Sequence, residues 1–151
     1  MGKVFAIANQ KGGVGKTTTA VNLSACLAEA GEKTLLIDID PQGNATSGLG
    51  INRKELKLSI YDALLNHQPL SSLRMGTEVP QLDIIPSHRQ LAGAEVELVE
   101  VSARESRLKD VLRELRESYS FILIDCPPSL GLLTVNGLTG NLNNTLYIPA
   151  S

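Results

Sequence analysis

Five short apolar runs punctuate the chain: KVFAIAN (3–9), TLLIDID (34–40), LDIIP (82–86), FILID (121–125) and TLYIP (145–149). Runs of this length, apolar at successive positions and bounded by Gly, Pro or Asp, read as strands buried on both faces. Helical patterns lie between them. Residues 16–30, KTTTAVNLSACLAEA, form a predicted helix stopped by Gly31, a residue common just past a helix end. Its Ala20, Val21, Leu23, Ala25, Leu27 and Ala28 occupy most of the circumference, so it should be covered on several sides. After a loop rich in Gly and Asn, Ser59 is placed to cap a short helix, IYDALLN. LAGAEVELVE (91–100) and RESRLKDVLRELRES (104–118) follow. The second is the clearest amphipathic helix, with Leu108, Val111, Leu112 and Leu115 on one face and Glu105 four residues before Lys109. Strands separated by helices imply an α/β fold, a mostly parallel sheet with helices on both faces.

At 151 residues the chain is long enough for one domain, and residues 1–151 read as a single domain, incomplete at its C-terminus, without repeats or an obvious linker. A net charge of −2 gives no global basic field of the kind that announces a nucleic-acid binder. No stretch approaches the ~18 to 20 apolar residues of a membrane span, so no membrane association is expected. MGKVFAIANQ runs directly into a strand and leaves no separate signal sequence; Gly2 could begin an acylation signal, but Ala6 stands where that signal needs Ser or Thr. Cys26 and Cys126 are too few for a disulfide framework or a zinc site, and read as two buried thiols in a reducing cytoplasm. His67 and His88 lack a second ligand at metal spacing and read as loop residues. Tyr61, Tyr119, Tyr147 and the two phenylalanines form no stacking stripe for single-stranded nucleic acid.

In open α/β sheets ligands bind beyond the carboxyl ends of the strands. Three chemically loaded segments fall there: NQKGGVGKTTT (9–19), DIDPQGN (38–44) and DCPPS (125–129). The first nearly matches the phosphate-loop pattern G-x-x-x-x-G-K-[ST], but Gln10 stands where the first glycine belongs, and Lys11 precedes Gly12 and Gly13. The backbone of Gly12, Gly13, Val14 and Gly15 can wrap a polyphosphate, aided by the helix N-terminus that follows. Lys16 can reach the β- and γ-phosphates of ATP, Thr17 can ligate Mg²⁺, and Thr18 can donate to a further phosphate oxygen. Asp125 ends an apolar run, where a carboxylate is costly unless a cation faces it; Mg²⁺ beside the phosphates would suffice. Asp38 and Asp40, two apart, could project to one face, one holding a metal-bound water and the other addressing the attacking water. An ordinary aspartate is too acidic for a good general base, so Asp40 is expected to orient water. Lys11 could point into a facing subunit's nucleotide and meet charge growing in the transition state, as an arginine finger does.

KGGVGKTT, DIDPQGNATSGLG, QLAGAE and IDCPPSLGLLT together resemble the ParA/Soj group of chromosome- and plasmid-partitioning ATPases, P-loop NTPases with a deviant Walker A motif. The resemblance runs from residue 1 to about residue 139. It implies that Lys11 is the lysine that crosses the dimer, Gly12 the close dimer contact, Lys16 the phosphate lysine and Thr17 the Mg²⁺ ligand. It further implies that Asp40 is needed for hydrolysis, with Asp38 and Asp125 supporting metal and water. An ATP-dependent homodimer, non-specific DNA binding and a ParB-type centromere-binding partner that stimulates hydrolysis follow from the same resemblance. So does a cytoplasmic, nucleoid-associated location.

Family members are substantially longer, so the chain reads as an N-terminal fragment lacking the C-terminal part of the fold, where base and most DNA contacts would lie. NGLTGNLNNTLYIPAS (136–151) fits the pattern poorly, and a last strand there would leave a sheet edge unpaired. Competing readings are a MinD-like membrane-cycling regulator of division placement, a remnant without turnover, and a redox iron protein. The first needs a C-terminal amphipathic helix; the last needs four thiolates, where Cys126 alone adjoins the site.

Overall fold

A computed structural model describes residues 2–8, 15–100, 106–128, 134, 136 and 145–147. Among these residues six strands form one sheet: β1 (Lys3–Ala8), β2 (Thr34–Asp38), β3 (Met75–Gly76), β4 (Leu82–Ile85), β5 (Phe121–Asp125) and β6 (Thr145–Tyr147). Their order is β3-β4-β2-β5-β1-β6, parallel throughout except that β3 runs antiparallel to β4 at one edge. The five expected strands are all present. β3, two residues long, is too short to leave a periodic signal. The expected strand at 145–149 is described over 145–147, paired with β1 at the other edge.

Alternate residues of the central strands feed two cores, which is why their sequences show no polar face. Val4, Ala6, Leu35, Ile37, Ile122 and Ile124 pack on one side beneath α3 (Ile60–Leu65), α4 (Ala94–Glu97) and α5 (Arg107–Leu112). Ile7, Leu36 and Leu123 pack on the other beneath α1 (Lys16–Glu29) and α2 (Asn44–Gly48). At roughly 1.5–3 kcal/mol for each fully buried large aliphatic side chain, these two layers dominate the stability of the sheet and fix its register.

The helices carry most of the departures from expectation. α1 fully buries only Lys16, Ala20, Ser24 and Ala28, a four-residue repeat down one face, while Val21, Leu23, Ala25 and Leu27 are half-buried flanks. Cys26 lies off that repeat and is exposed, so the reading of two buried thiols holds for Cys126 alone. Ser59 caps α3 as expected: its hydroxyl accepts from the Tyr61 amide, and Asp62 closes a capping box. The long amphipathic segment is helical only to Leu112, then tightens through i→i+3 bonds from Leu115 to Leu112 and from Ser118 to Leu115. That tightening lets Leu115 and Tyr119 enter the same core as Leu108 and Leu112 while the chain turns into β5. Glu105 lies outside the described residues. Residues 89–100 divide into 3₁₀, α and 3₁₀ turns around α4, burying Leu91, Ala94 and Leu98. Among the described residues, no helix is long and apolar enough to cross a membrane.

Candidate active site

Register brings the carboxylates together. Asp38 at the end of β2 pairs with Asp125 at the end of β5, and Asp125 pairs in turn with Ile7 of β1. Strand neighbours sit about 4.8 Å apart and in-register side chains share a face, so two buried carboxyls lie side by side on the α1 face. Into this space comes the first residue of α1. Gly15 precedes it in the left-handed region, at φ 72°, a conformation open to glycine without a Cβ penalty.

The Lys16 ammonium, only 4% exposed, contacts Asp125 Oδ1 directly and lies 3.6 Å from Asp40 Oδ2. Thr17 Oγ1 donates to the other Asp125 oxygen at 3.3 Å. Three of the residues assigned separate roles in the sequence therefore meet around Asp125. Burial holds the Asp125 carboxyl above the ordinary carboxylate range, with Lys16 opposing the shift.

Asp38 is placed differently. The expectation that Asp38 and Asp40 present one shared face is met only in part: both are buried, but Asp40 alone lies beside Lys16. Asp38 Oδ2 accepts from the amide and hydroxyl of Thr46, at 3.0 and 2.7 Å, and its Oδ1 accepts from the Asp40 amide at 3.1 Å. Burial, and next the neighbouring Asp125, push its pKa up to about 7. Burial also pushes the Cys126 thiol up to about 12, so it stays protonated near neutral pH.

Beside these groups opens a cleft of about 420 Å³ lined by Gly15, Lys16, Thr17, Thr18, Asp40, Gln42, Asn44 and Pro128. Lys11, Gly12, Gly13 and Val14 lie outside the described residues. The donors present suit a polyphosphate with Mg²⁺. A buried ammonium stands at a helix N-terminus, whose first amides have no partner within the helix, and the Thr17 hydroxyl and a carboxylate lie next to each other. Among the described residues, no group of three or more His, Cys, Asp or Glu side chains could hold a metal ion. A cation here would complete its shell with water and phosphate oxygens, the habit of Mg²⁺.

His67, exposed at φ 56°, and His88, whose ring accepts from the Gln90 amide, are loop residues as expected. Sequence reading passed over Thr46, Ser87 and Arg53, which bind the loop after β2. Ser87 lies just past the end of β4, so a further strand terminus contributes to the site.

The AAA_31 family, described as an AAA domain, matches residues 2–150. The sporulation initiation inhibitor protein Soj of Bacillus subtilis is 57% identical over 99% of this chain and 58% of its own length. The chromosome partitioning protein ParA of Myxococcus xanthus is 56% identical over 91% of this chain and 49% of its own. A crystal structure described as cobyrinic acid a,c-diamide synthase from Mycobacterium smegmatis, with bound ADP and magnesium, superposes with a TM-score of 0.93. It is 41% identical and covers 97% of this chain and 59% of that one. The chain thus spans about half the length of the curated relatives it matches. With the family match running through nearly every residue, the chain belongs to the AAA-domain family and is similar to the Soj/ParA partitioning ATPases.

Proposed function

We propose that this chain forms the nucleotide-binding part of a Mg-ATP-dependent dimerisation switch, an ATPase that partitions chromosomal or plasmid DNA. The observation that carries the reading is the meeting of Lys16, Thr17, Asp40 and Asp125 at one cleft beside the α1 N-terminus. Lys16, the backbone from Gly12 to Gly15, and Thr18 would hold the phosphates; Thr17, Asp38 and Asp125 would hold Mg²⁺ directly or through water. Bound Mg-ATP supplies the phosphoanhydride whose cleavage resets the switch. With nucleotide bound, Lys16 would exchange its carboxylate partners for phosphate oxygens, which would leave Asp125 for the cation. Asp40, its Oδ1 fixed by the Gln42 amide at 3.0 Å, orients the attacking water. Lys11 reaches the nucleotide of a second protomer, so each site is completed by its partner. The high identity to Soj and ParA supports a ParB-type partner that stimulates hydrolysis, non-specific DNA binding by the full-length protein, and a cytoplasmic, nucleoid-associated location.

Calorimetry and turnover of the full-length polypeptide test this. Lys16→Ala should weaken Mg-ATP binding by at least about 100-fold, the scale of losing a charge-assisted anchor on phosphate. Asp40→Ala should keep the affinity and the dimer while stopping hydrolysis. Lys11→Ala should impair dimerisation and hydrolysis more than first binding. Near-normal affinity in the Lys16 variant would remove the phosphate-loop assignment.

A further inference from the structure

The loop that carries Asp40 is held by a residue eleven to thirteen positions further on. Arg53 Nη2 donates to the Pro41 carbonyl at 2.7 Å and Nη1 to the Gln42 carbonyl at 2.6 Å, while Nε donates to the Ser87 carbonyl at 3.2 Å. One planar guanidinium thus joins the two residues following Asp40 to the segment that ends β4. Its fork geometry suits three fixed acceptors in a way a flexible ammonium does not. The loop is shaped to admit it. A Cβ on Gly43 would stand 2.4 Å from the Arg53 guanidinium carbon, and Gly43 sits at φ 65°.

Ser87 makes the second half of the clamp. Fully buried, it donates from Oγ to the Asp40 carbonyl at 2.6 Å, and its amide donates to Thr46 Oγ1 at 2.9 Å. Thr46 in turn donates to Asp38, whose other oxygen takes the Asp40 amide. The backbone of Asp40 is therefore fixed at its N–H by Asp38 and at its carbonyl by Ser87 and the Gly43 amide. Its side chain is fixed by the Gln42 amide, in the very peptide segment that Arg53 grips.

From this geometry we infer that Arg53 and Ser87 are positioning residues that set the Asp40 carboxylate where it orients the attacking water, acting through the Pro41–Gly43 backbone without touching nucleotide. The inference rests on the reading of Asp40 as the residue that orients water. A misplacement of about 1 Å at such a group can cost roughly 100-fold in rate, while the phosphate anchors on α1 are untouched. The signature is a selective loss of kcat.

The test uses the full-length polypeptide with Arg53→Ala, Arg53→Lys and Ser87→Ala, read by amide hydrogen exchange at Gln42 and Gly43, Mg-ATP affinity and kcat. Arg53→Ala should speed exchange at both amides by at least about tenfold and lower kcat by about tenfold or more, with the affinity for Mg-ATP within about twofold. Arg53→Lys should fall between, because one ammonium cannot meet three carbonyls. Ser87→Ala should act in the same direction. Unchanged exchange would overturn the clamp, and faster exchange with normal kcat would overturn its role in positioning. Equal losses in kcat and affinity would also overturn it, by making Arg53 part of the binding machinery. If the unaltered protein binds Mg-ATP but never hydrolyses it, the proposed function falls, and exchange still decides whether the clamp exists.

Discussion

At the amino end of the sheet, Tyr119 donates to Asp83 at 2.6 Å, Arg74 approaches the same hydroxyl at 3.4 Å, and Lys33 stands 5.2 Å from the ring centroid. Lys33 and Arg74 are exposed and Asp83 is half-buried, so these charges keep much of their hydration. At the carboxyl end, Asp38, Asp40 and Asp125 are all buried; among the described residues Lys16 pairs with Asp40 and Asp125, while Asp38 accepts from Thr46 and the Asp40 amide. Among the described residues such a cluster is a poor stabilising device, because desolvating each carboxylate costs several kcal/mol and the Lys16 ammonium meets only two of them. The amino end is arranged to be stable alone. Among the described residues, the carboxyl end buries more carboxyls than ammoniums.

Lys16→Met should break that comparison most severely. It leaves buried Asp40 and Asp125 without the Lys16 ammonium, and we expect a loss of about 3 kcal/mol in unfolding free energy near neutral pH, the scale for breaking a buried ion pair. The pH dependence has a definite sign. Asp38 and Asp125 are held above the ordinary carboxylate range, Asp38 up to about 7, so the folded state binds protons more readily than the unfolded chain. Stability from this source is complete below about pH 4 and declines as the pH rises through 7. Removing Lys16 lifts the Asp125 pKa further, so the deficit should be larger at pH 8 than at pH 5. Denaturant unfolding of nucleotide-free protein at the two pH values measures it, and a pH-independent deficit below about 1 kcal/mol would mean the carboxyls are well hydrated.

Thr46→Val probes the same end through neutral groups. It deletes the hydroxyl that donates to Asp38 and accepts from the Ser87 amide, stranding a buried donor and weakening a buried acceptor. About 2 kcal/mol should be lost, less than for Lys16→Met because the Thr46 amide still serves Asp38. Thr46→Ser should restore most of it.

Thr46 also marks where sequence reading stopped. Lys16, Thr17, Asp40 and Asp125 were legible because each sits at a strand end or in a glycine loop, where a linear pattern predicts its chemistry. Ser59 was legible because capping is a local event among neighbours in sequence. The Thr46–Ser87 and Arg53–Ser87 contacts join residues 41 and 34 positions apart. They arise only when parallel pairing brings the end of β4 beside that of β2, and a threonine or serine in a turn-rich segment gives no sign of a distant partner. Cys26 was misread for a related reason. The apolar residues of α1 surround most of its axis, so composition could not tell the face built on Ala20, Ser24 and Ala28 from the face that stays exposed.

Tyr119→Phe should be the mildest change, and it tests the amino end as the contrast. The ring keeps its packing among Leu115, Ile122 and their neighbours; only the hydroxyl contacts to Asp83 and Arg74 disappear, and half-buried Asp83 can recruit water. A loss of about 1 kcal/mol at pH 7 is expected, the ordinary net worth of one hydrogen bond. Burial, followed by the bond to Asp83, pushes the Tyr119 pKa from 10.0 up to about 12. Its contribution is therefore fully present below pH 10 and lost as the pH rises through about 12. Phenylalanine has no such proton, so the variant should lack this alkaline decline, and the two stability curves should converge above pH 10. If they stay parallel through that window, the Tyr119 hydroxyl ionises alike in folded and unfolded chains, and the amino end is more hydrated than its packing implies.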